Sequence, residues 1–224
     1  SIIDTAFGNT NITYALSGED ATYFVLEGNT IKLKSDFSAD YETKNSYTLT
    51  VTATNPAGET AEEKVVVKIA NVNETPILNT ALANQSNQED AAFSFTVPIT
   101  TFTDIDGDTL NYSASLSDGS ALPAWLSFDA STRTFTGTPL NADVGAINVK
   151  VTTSDGSLSA SDTFTLTVVN TNDDPTAVTL SATAIDENIS GGVIGNLTTS
   201  DDDNVHGDSH TYVLSGVDAD SFEV

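Results

Sequence analysis

Apolar residues recur at every second position in several stretches of this chain. Tyr47, Leu49, Val51 and Ala53 alternate with Thr48, Thr50, Thr52 and Thr54. The same period runs through Val65, Val67 and Ile69, through Ile147, Val149 and Val151, and through Phe164, Leu166 and Val168. Successive side chains of a strand point to opposite faces, so each stretch reads as a half-buried antiparallel strand with a threonine-rich wet face. No segment carries a convincing helical period. Gly, Asn, Asp and Ser interrupt the strands at short intervals, as in Greek-key β-sandwiches. The expected fold class is therefore all-β.

Two phrases mark the organisation. NVNETP (71–76) and NTNDDP (170–175) match, and their prolines lie 99 residues apart, about one sandwich domain. Each follows a strand that ends a unit, and its proline cannot continue a hydrogen-bonded ladder. A longer match relates TYALSGEDATYF (13–24) to TYVLSGVDADSF (211–222), where eight of twelve positions agree at a shift of 198 residues. Such internal repetition points to tandem domains. The expected divisions are residues 1–73, a sandwich lacking its first strands; 74–172, a complete sandwich; and 173–224, the N-terminal half of another. Opening strands of that half are expected around Ala177–Ser181 and Gly192–Leu197.

Charge narrows the partners. Seven Lys and Arg face thirty-two Asp and Glu, a formal charge of −25. Nucleic acids and anionic membranes are bound largely through Lys and Arg, so neither is an expected partner. Cations are. With 38% hydrophobic residues in a regular pattern, the chain is not an acidic disordered tail. It has no cysteine, so another staple is needed if the protein works outside the cell, and metal is one candidate. No apolar run reaches the roughly 18 residues of a membrane span. SIIDTAFGNT carries no basic or apolar leader features, so either secretion is signalled elsewhere or the chain is an excised fragment, and the repeat spacing favours the fragment.

The densest charge is DIDGD, with Asp104, Asp106 and Asp108 in five positions. Two carboxylates about 5 Å apart repel by about 3 kcal/mol at an effective dielectric near 20. Such a cluster is either a solvated turn, common for D-G-D phrases, or part of a cation site. D-x-D spacing puts two carboxylates on one side of an extended segment, and Gly107 permits a sharp turn. Calcium accepts six to eight oxygens from carboxylates, amides and backbone carbonyls at about 2.3–2.6 Å. An EF-hand fails: counting from Asp104, Thr109 stands where the invariant glycine is required and Ser115 where the glutamate is required.

Other conspicuous residues read more plainly. Trp125, in LPAWLSF, is expected in the core. His206 and His210 in HGDSH are expected to be solvated rather than metal ligands. The N-x-S/T phrases at Asn11, Asn73, Asn84, Asn111, Asn188 and Asn196 follow from a composition rich in Asn, Ser and Thr. The sequence has no G-x-S-x-G, P-loop or HExxH phrase, and no enzymatic role is expected.

In order and spacing, NVNETP, NTNDDP, ADYE (39–42), DIDGD, SDG (154–156) and DEN (186–188) resemble the ligand phrases of cadherin-type repeats. LPAWLSFD (122–129) followed by FTGTPLNADVG (135–145) resembles the dystroglycan-type cadherin-like domains of large bacterial surface proteins. The resemblance implies cadherin-like, immunoglobulin-like sandwiches with Ca2+ at the domain junctions. For the first junction it implies Asp40, Glu42, Asn71, Asn73, Glu74, Asp104, Asp106 and Asp155. For the second it implies Glu89 or Asp90, then Asn141, Asp143, Asn170, Asn172, Asp173, Asp201 and Asp203. Both linkers begin with Asn where the family favours Asp, and Asn141 replaces an acid, so charge is lost while oxygen ligands are kept.

The function implied is a calcium-rigidified extender of a long adhesin that projects ligand-binding domains from a bacterial cell surface. The alternative is a carbohydrate- or protein-binding module centred on the middle domain. Expected partners are neighbouring repeats of the parent chain and a surface glycan or protein ligand. Head-to-tail self-association of incomplete sandwiches is a further expectation.

Overall fold

The computed structural model describes residues 11–224, so the opening ten residues of the first expected domain lie outside the described residues. The chain divides into two compact units. The first runs to Thr75 and includes the loop Asp104–Asp108; the second comprises Pro76–Thr103 and Thr109–Val224. Among the described residues there are sixteen strands and four short 3-10 segments, and no α-helix. The all-β expectation holds.

The first unit contains β1 (Thr13–Ser17), β2 (Phe24–Glu27), β3 (Thr30–Leu33), β4 (Ser46–Thr54) and β5 (Thr60–Lys68). Strands β1, β4 and β5 form an antiparallel sheet in that order, and β2 pairs with β3. The alternation seen in the sequence sets the faces: Tyr47, Leu49 and Ala53 are buried, while the intervening threonines are half-exposed. Phe24, Tyr47 and Leu49 form the core, with Leu16, Phe37, Val51, Val65, Val67 and Ile69 packed against it. Tyr47 meets Tyr23 and Phe37 edge-on, at ring separations of 5.4 and 5.8 Å. The aspartate of the repeated SG-x-D phrase has a structural reason here. Asp20, 5% exposed, accepts from Lys44 Nζ at 2.5 Å and from the Thr48 amide at 2.8 Å. The Lys44 hydrogen bond chiefly holds its carboxyl below the ordinary aspartate value.

The second unit is built on a sandwich. Its strands are β6 (Ile77–Leu78), β7 (Gln85–Gln88), β8 (Phe93–Thr96), β9 (Phe102–Thr103), β10 (Asn111–Leu116), β11 (Leu126–Asp129), β12 (Thr134–Gly137), β13 (Gly145–Ser154) and β14 (Ser159–Val169). One sheet has the order β10-β13-β14-β7 and the other β11-β12-β8, while β6 pairs with β9. Pairing is antiparallel except for β7, which runs parallel to β14. Val149, Val151, Phe164 and Leu166 from one sheet and Phe93, Leu126 and Phe135 from the other share one core. The Phe135 ring lies 4.5 Å from that of Phe128 and 5.6 Å from that of Phe164.

Trp125 packs against this core, as expected. Its backbone explains Gly137: a Cβ there would fall 2.0 Å from the Trp125 carbonyl oxygen. The terminal segment adds β15 (Ala177–Leu180) and β16 (Leu197–Ser200), an antiparallel pair. The expected strand at 192–197 thus begins only at its last residue. Gly195 lies so close to Ser181 and Ala182 that a Cβ would meet them at 2.8 Å. The Ser181 hydroxyl takes the Asn196 amide at 2.8 Å, closing the end of the ribbon with a side chain.

The Gly137 contact makes a direct prediction. Gly137→Ala should lower the second unit's stability by about 1–3 kcal/mol, as overpacking does, and shift its urea midpoint downward. An unchanged midpoint would contradict the packing described.

Candidate metal centres

The first cluster belongs to the first unit. After β3 the chain turns at ADYE, where Asp40 Oδ1 accepts from the Glu42 amide at 3.0 Å and Oδ2 from the Thr43 hydroxyl at 2.8 Å. The linker after β5 brings Asn71 and Glu74 to Asp106. Asn71 Nδ2 donates to Asp106 Oδ1 at 2.7 Å, and the Glu74 amide donates to Oδ2 at 2.8 Å. The Asp106 amide in turn donates to Asp104 Oδ1 at 2.9 Å, and Gly107, at φ +77°, continues the turn. Carboxylate oxygens of Glu42, Glu74 and Asp106 lie within 4.8 Å of one another, and so do those of Asp104, Asp106 and Asp108. The second oxygen of Asp104, Oδ2, is buried with no hydrogen-bond donor.

The second cluster lies in the second unit and repeats this pattern. Asn170 Nδ2 donates to Asp203 Oδ1 at 2.7 Å, and the Asp173 amide donates to Asp203 Oδ2. The Asp203 amide donates to Asp201 Oδ1 at 2.9 Å. Asn71, Glu74, Asp104 and Asp106 thus correspond to Asn170, Asp173, Asp201 and Asp203. The second cluster is the more enclosed, with Asp203 1% and Glu89 2% exposed. Glu89 Oε1 accepts from the Thr171 amide at 2.6 Å, while its Oε2 has no donor. Asn170 Oδ1 and Asp201 Oδ2 are likewise buried without one. Asn141 Nδ2 reaches Asp203 at 3.5 Å. Asp90, Asn141, Asp173 and Asp202 line an adjoining cleft of about 330 Å³.

Carboxyls within each cluster shift in opposite directions. The Glu74 amide and the Asn71 side chain hold Asp106 below the ordinary aspartate value, and the Asp173 amide and Asn170 do the same for Asp203. Burial pushes Glu74 and Asp173 up, reinforced by the negative charge of Asp106 and Asp203 respectively. Glu42 is also raised, chiefly by burial.

The remaining expected ligands occupy local roles. Asp143 Oδ2 accepts from the Leu140 amide at 2.9 Å, closing the turn that carries Asn141. Asp155 Oδ1 accepts from the Ser157 and Leu158 amides at 2.6 and 2.7 Å, in the turn between β13 and β14. Asn73 and Asn172 donate to the carbonyls of Glu74 and Asp173. Of the pair Glu89 and Asp90, Glu89 supplies the enclosed carboxyl. Sequence reasoning named as a ligand neither Asp108, which closes DIDGD, nor Asp202, which stands between the two expected ligands Asp201 and Asp203. It also expected both histidines in solvent. His210 instead lies with only 16% of its side chain exposed, 3.9 Å from Asp201 Oδ2 and 3.8 Å from Asp208 Oδ2.

Both clusters fit a hard divalent cation. Their donors are carboxylate and amide oxygens, the set calcium prefers. Four of those oxygens are buried without a donor, which is costly for a polar group unless a cation satisfies it.

Residues 75–169 match the family described as "Putative Ig domain". Over 85 residues the chain is 36% identical to human cadherin-related family member 2, covering 33% of this chain and 6% of that protein. The mouse protein of that name is 34% identical over 84 residues, again covering 6% of its length. The chain therefore spans a small part of the curated relatives it matches. The structure of protocadherin gamma B2 extracellular cadherin domains 1–5 superposes with a TM-score of 0.59 at 18% identity, covering 85% of this chain and 39% of that one. Human protocadherin-24 EC1-2 gives a TM-score of 0.54 at 18% identity, covering 74% and 85%. The fold is that of cadherin-like sandwich repeats.

The opposed shifts set the response to acid in chelator. Glu42, Glu74 and Asp173, raised by folding, destabilise the ionised fold, so stability should rise as pH falls from neutral through their elevated values. Asp106 and Asp203, lowered by folding, stabilise it above the ordinary aspartate value, and that contribution should disappear at still lower pH. Thermal melts in chelator should therefore show maximal stability at mildly acidic pH. Glu74→Gln should raise the melting temperature in chelator, because it removes a charge that folding disfavours. A melting temperature indifferent to both changes would contradict the electrostatics described.

Proposed function

We propose that this chain is a calcium-rigidified extender segment of a long extracellular adhesin, of the kind carried by large bacterial surface proteins. One observation carries the reading. In both linkers an asparagine amide and a backbone N–H grip the second aspartate of a D-x-D phrase, beside buried oxygens that have no donor. Such an arrangement leaves acceptor oxygens converging in an already acidic protein of net charge −25.

In the first cluster Asp40, Glu42, Asn71, Asn73, Glu74, Asp104 and Asp106 are the proposed set, to which Asp108 is added. In the second the set is Glu89 with Asp90, then Asn141, Asp143, Asn170, Asn172, Asp173, Asp201 and Asp203. Bound Ca2+ would supply positive charge that turns mutual carboxylate repulsion into shared attraction. The linker asparagines and backbone amides orient Asp106 and Asp203 for that role before any ion arrives. Successive sandwiches of the parent protein are the immediate partners in this reading. The packing of Trp125 into the sandwich core favours an extender over a module that stacks sugars on that ring.

Small-angle scattering and melting with calcium or chelator test the reading. Calcium should give a more extended, narrower distribution of dimensions and a higher melting temperature. A single independent site at one-hundred-fold excess over its Kd adds about 2.7 kcal/mol. Asp106→Asn and Asp203→Asn should each lower calcium stoichiometry measured by calorimetry. Dimensions and melting temperature that ignore calcium would overturn the proposal.

A further inference from the structure

The loop after β16 carries a second kind of donor. Asp201 is 8% exposed, and its side chain is fully covered. Its Oδ1 accepts from the Asp203 amide, whereas Oδ2 is buried with no hydrogen-bond donor. Asp208 is exposed by comparison; its Oδ1 accepts from the Ser209 amide at 2.8 Å, and its Oδ2 faces His210. His210 Nδ1 stands 3.9 Å from Asp201 Oδ2 and 3.8 Å from Asp208 Oδ2. Both separations exceed hydrogen-bond length, so the ring does not satisfy either oxygen directly. One ligand atom from each of the three residues lies within 4.8 Å of the others.

The surrounding chain holds this convergence. The Tyr212 and Thr199 hydroxyls are 2.7 Å apart, pinning residues two positions beyond His210 to residues two positions before Asp201. Gly207, at φ +91°, closes the 3-10 turn Asp202–His206 and returns the chain so that the Asp208 amide donates to the Asp203 carbonyl at 3.4 Å. The DIDGD loop of the first unit provides an internal contrast, because its Asp104, Asp106 and Asp108 group offers oxygen alone. Calcium takes oxygen ligands, whereas imidazole suits Zn2+ and its first-row neighbours.

We propose that Asp201, Asp208 and His210 form a site for a borderline transition-metal ion of the Zn2+ class. Asp201 Oδ2, Asp208 Oδ2 and His210 Nδ1 are its three protein ligands, and water completes the coordination. The site goes beyond the calcium reading and shares only Asp201 with it. The two metal-binding loops of this chain thus differ in selectivity through one nitrogen donor.

The test titrates the whole chain with Zn2+ by calorimetry in saturating Ca2+, and with Co2+ by visible absorption. One Zn2+ should bind while calcium remains bound. His210→Gln should weaken it at least about tenfold, the scale expected when metal-site residues are removed. His206→Gln should leave it intact, and His210→Gln should leave calcium stoichiometry unchanged. Nitrogen-detected NMR of the unaltered protein should show the His210 Nδ1 resonance moving on Zn2+ addition, a readout independent of any variant's folding. No Zn2+ uptake beside calcium, uptake indifferent to His210→Gln, or a stationary Nδ1 resonance would overturn the proposal. Loss of calcium binding with zinc uptake intact would instead count against the calcium reading alone.

Discussion

The second aspartate of each D-x-D phrase is the point on which the linker geometry depends. Asp106 and Asp203 each take an asparagine side-chain amide and a backbone N–H from a linker roughly thirty residues away in sequence. Those donors do two things at once. They fix the linker's path against the loop, and they stabilise one negative charge in a place where neighbouring carboxyls are pushed toward neutrality. A purely repulsive surface would not arrange its charges this way. The D-x-D aspartate is held ionised and oriented, while the oxygens around it are left wanting a positive partner.

The scaffold makes such precision possible. β13 and β14 pair over ten residues in register and carry core side chains on one face. Asn141 precedes the first of these strands, and Asn170 follows the second. Glu89 follows β7, whose parallel pairing with β14 brings its amide to the Val169 carbonyl. Rigid strands thus deliver residues far apart in sequence to one acidic end of the second unit. Ring contacts of Phe135 with Phe128 and Phe164 fill the core between the two sheets of that frame.

How much of this could be read from the chain alone depends on the range of the interaction. Period-two patterning identified β4, β13 and β14, because side-chain alternation is a local property. The linkers and D-x-D loops were legible because their residue types and spacing repeat. Glu89 could be narrowed only to a pair with Asp90, since which neighbour turns inward depends on the backbone, where Asp90 adopts φ +56°. Gly137 was opaque for another reason: its necessity comes from the Trp125 carbonyl across a strand pairing. His210 was misjudged as solvated because its proximity to Asp201 is set by the Tyr212–Thr199 contact, invisible to a reading of HGDSH by itself. The two aspartate loops look alike in sequence, yet one gathers oxygen only and the other adds a ring nitrogen.

The most direct test of the central claim is anomalous diffraction, at long wavelength, from crystals grown in calcium. The account predicts anomalous peaks within about 2.3–2.6 Å of carboxylate oxygens of Asp106 with Glu74 or Asp104, and of Asp203 with Glu89 or Asp201. Ordered water alone at those positions, with full calcium in the crystal, would contradict it.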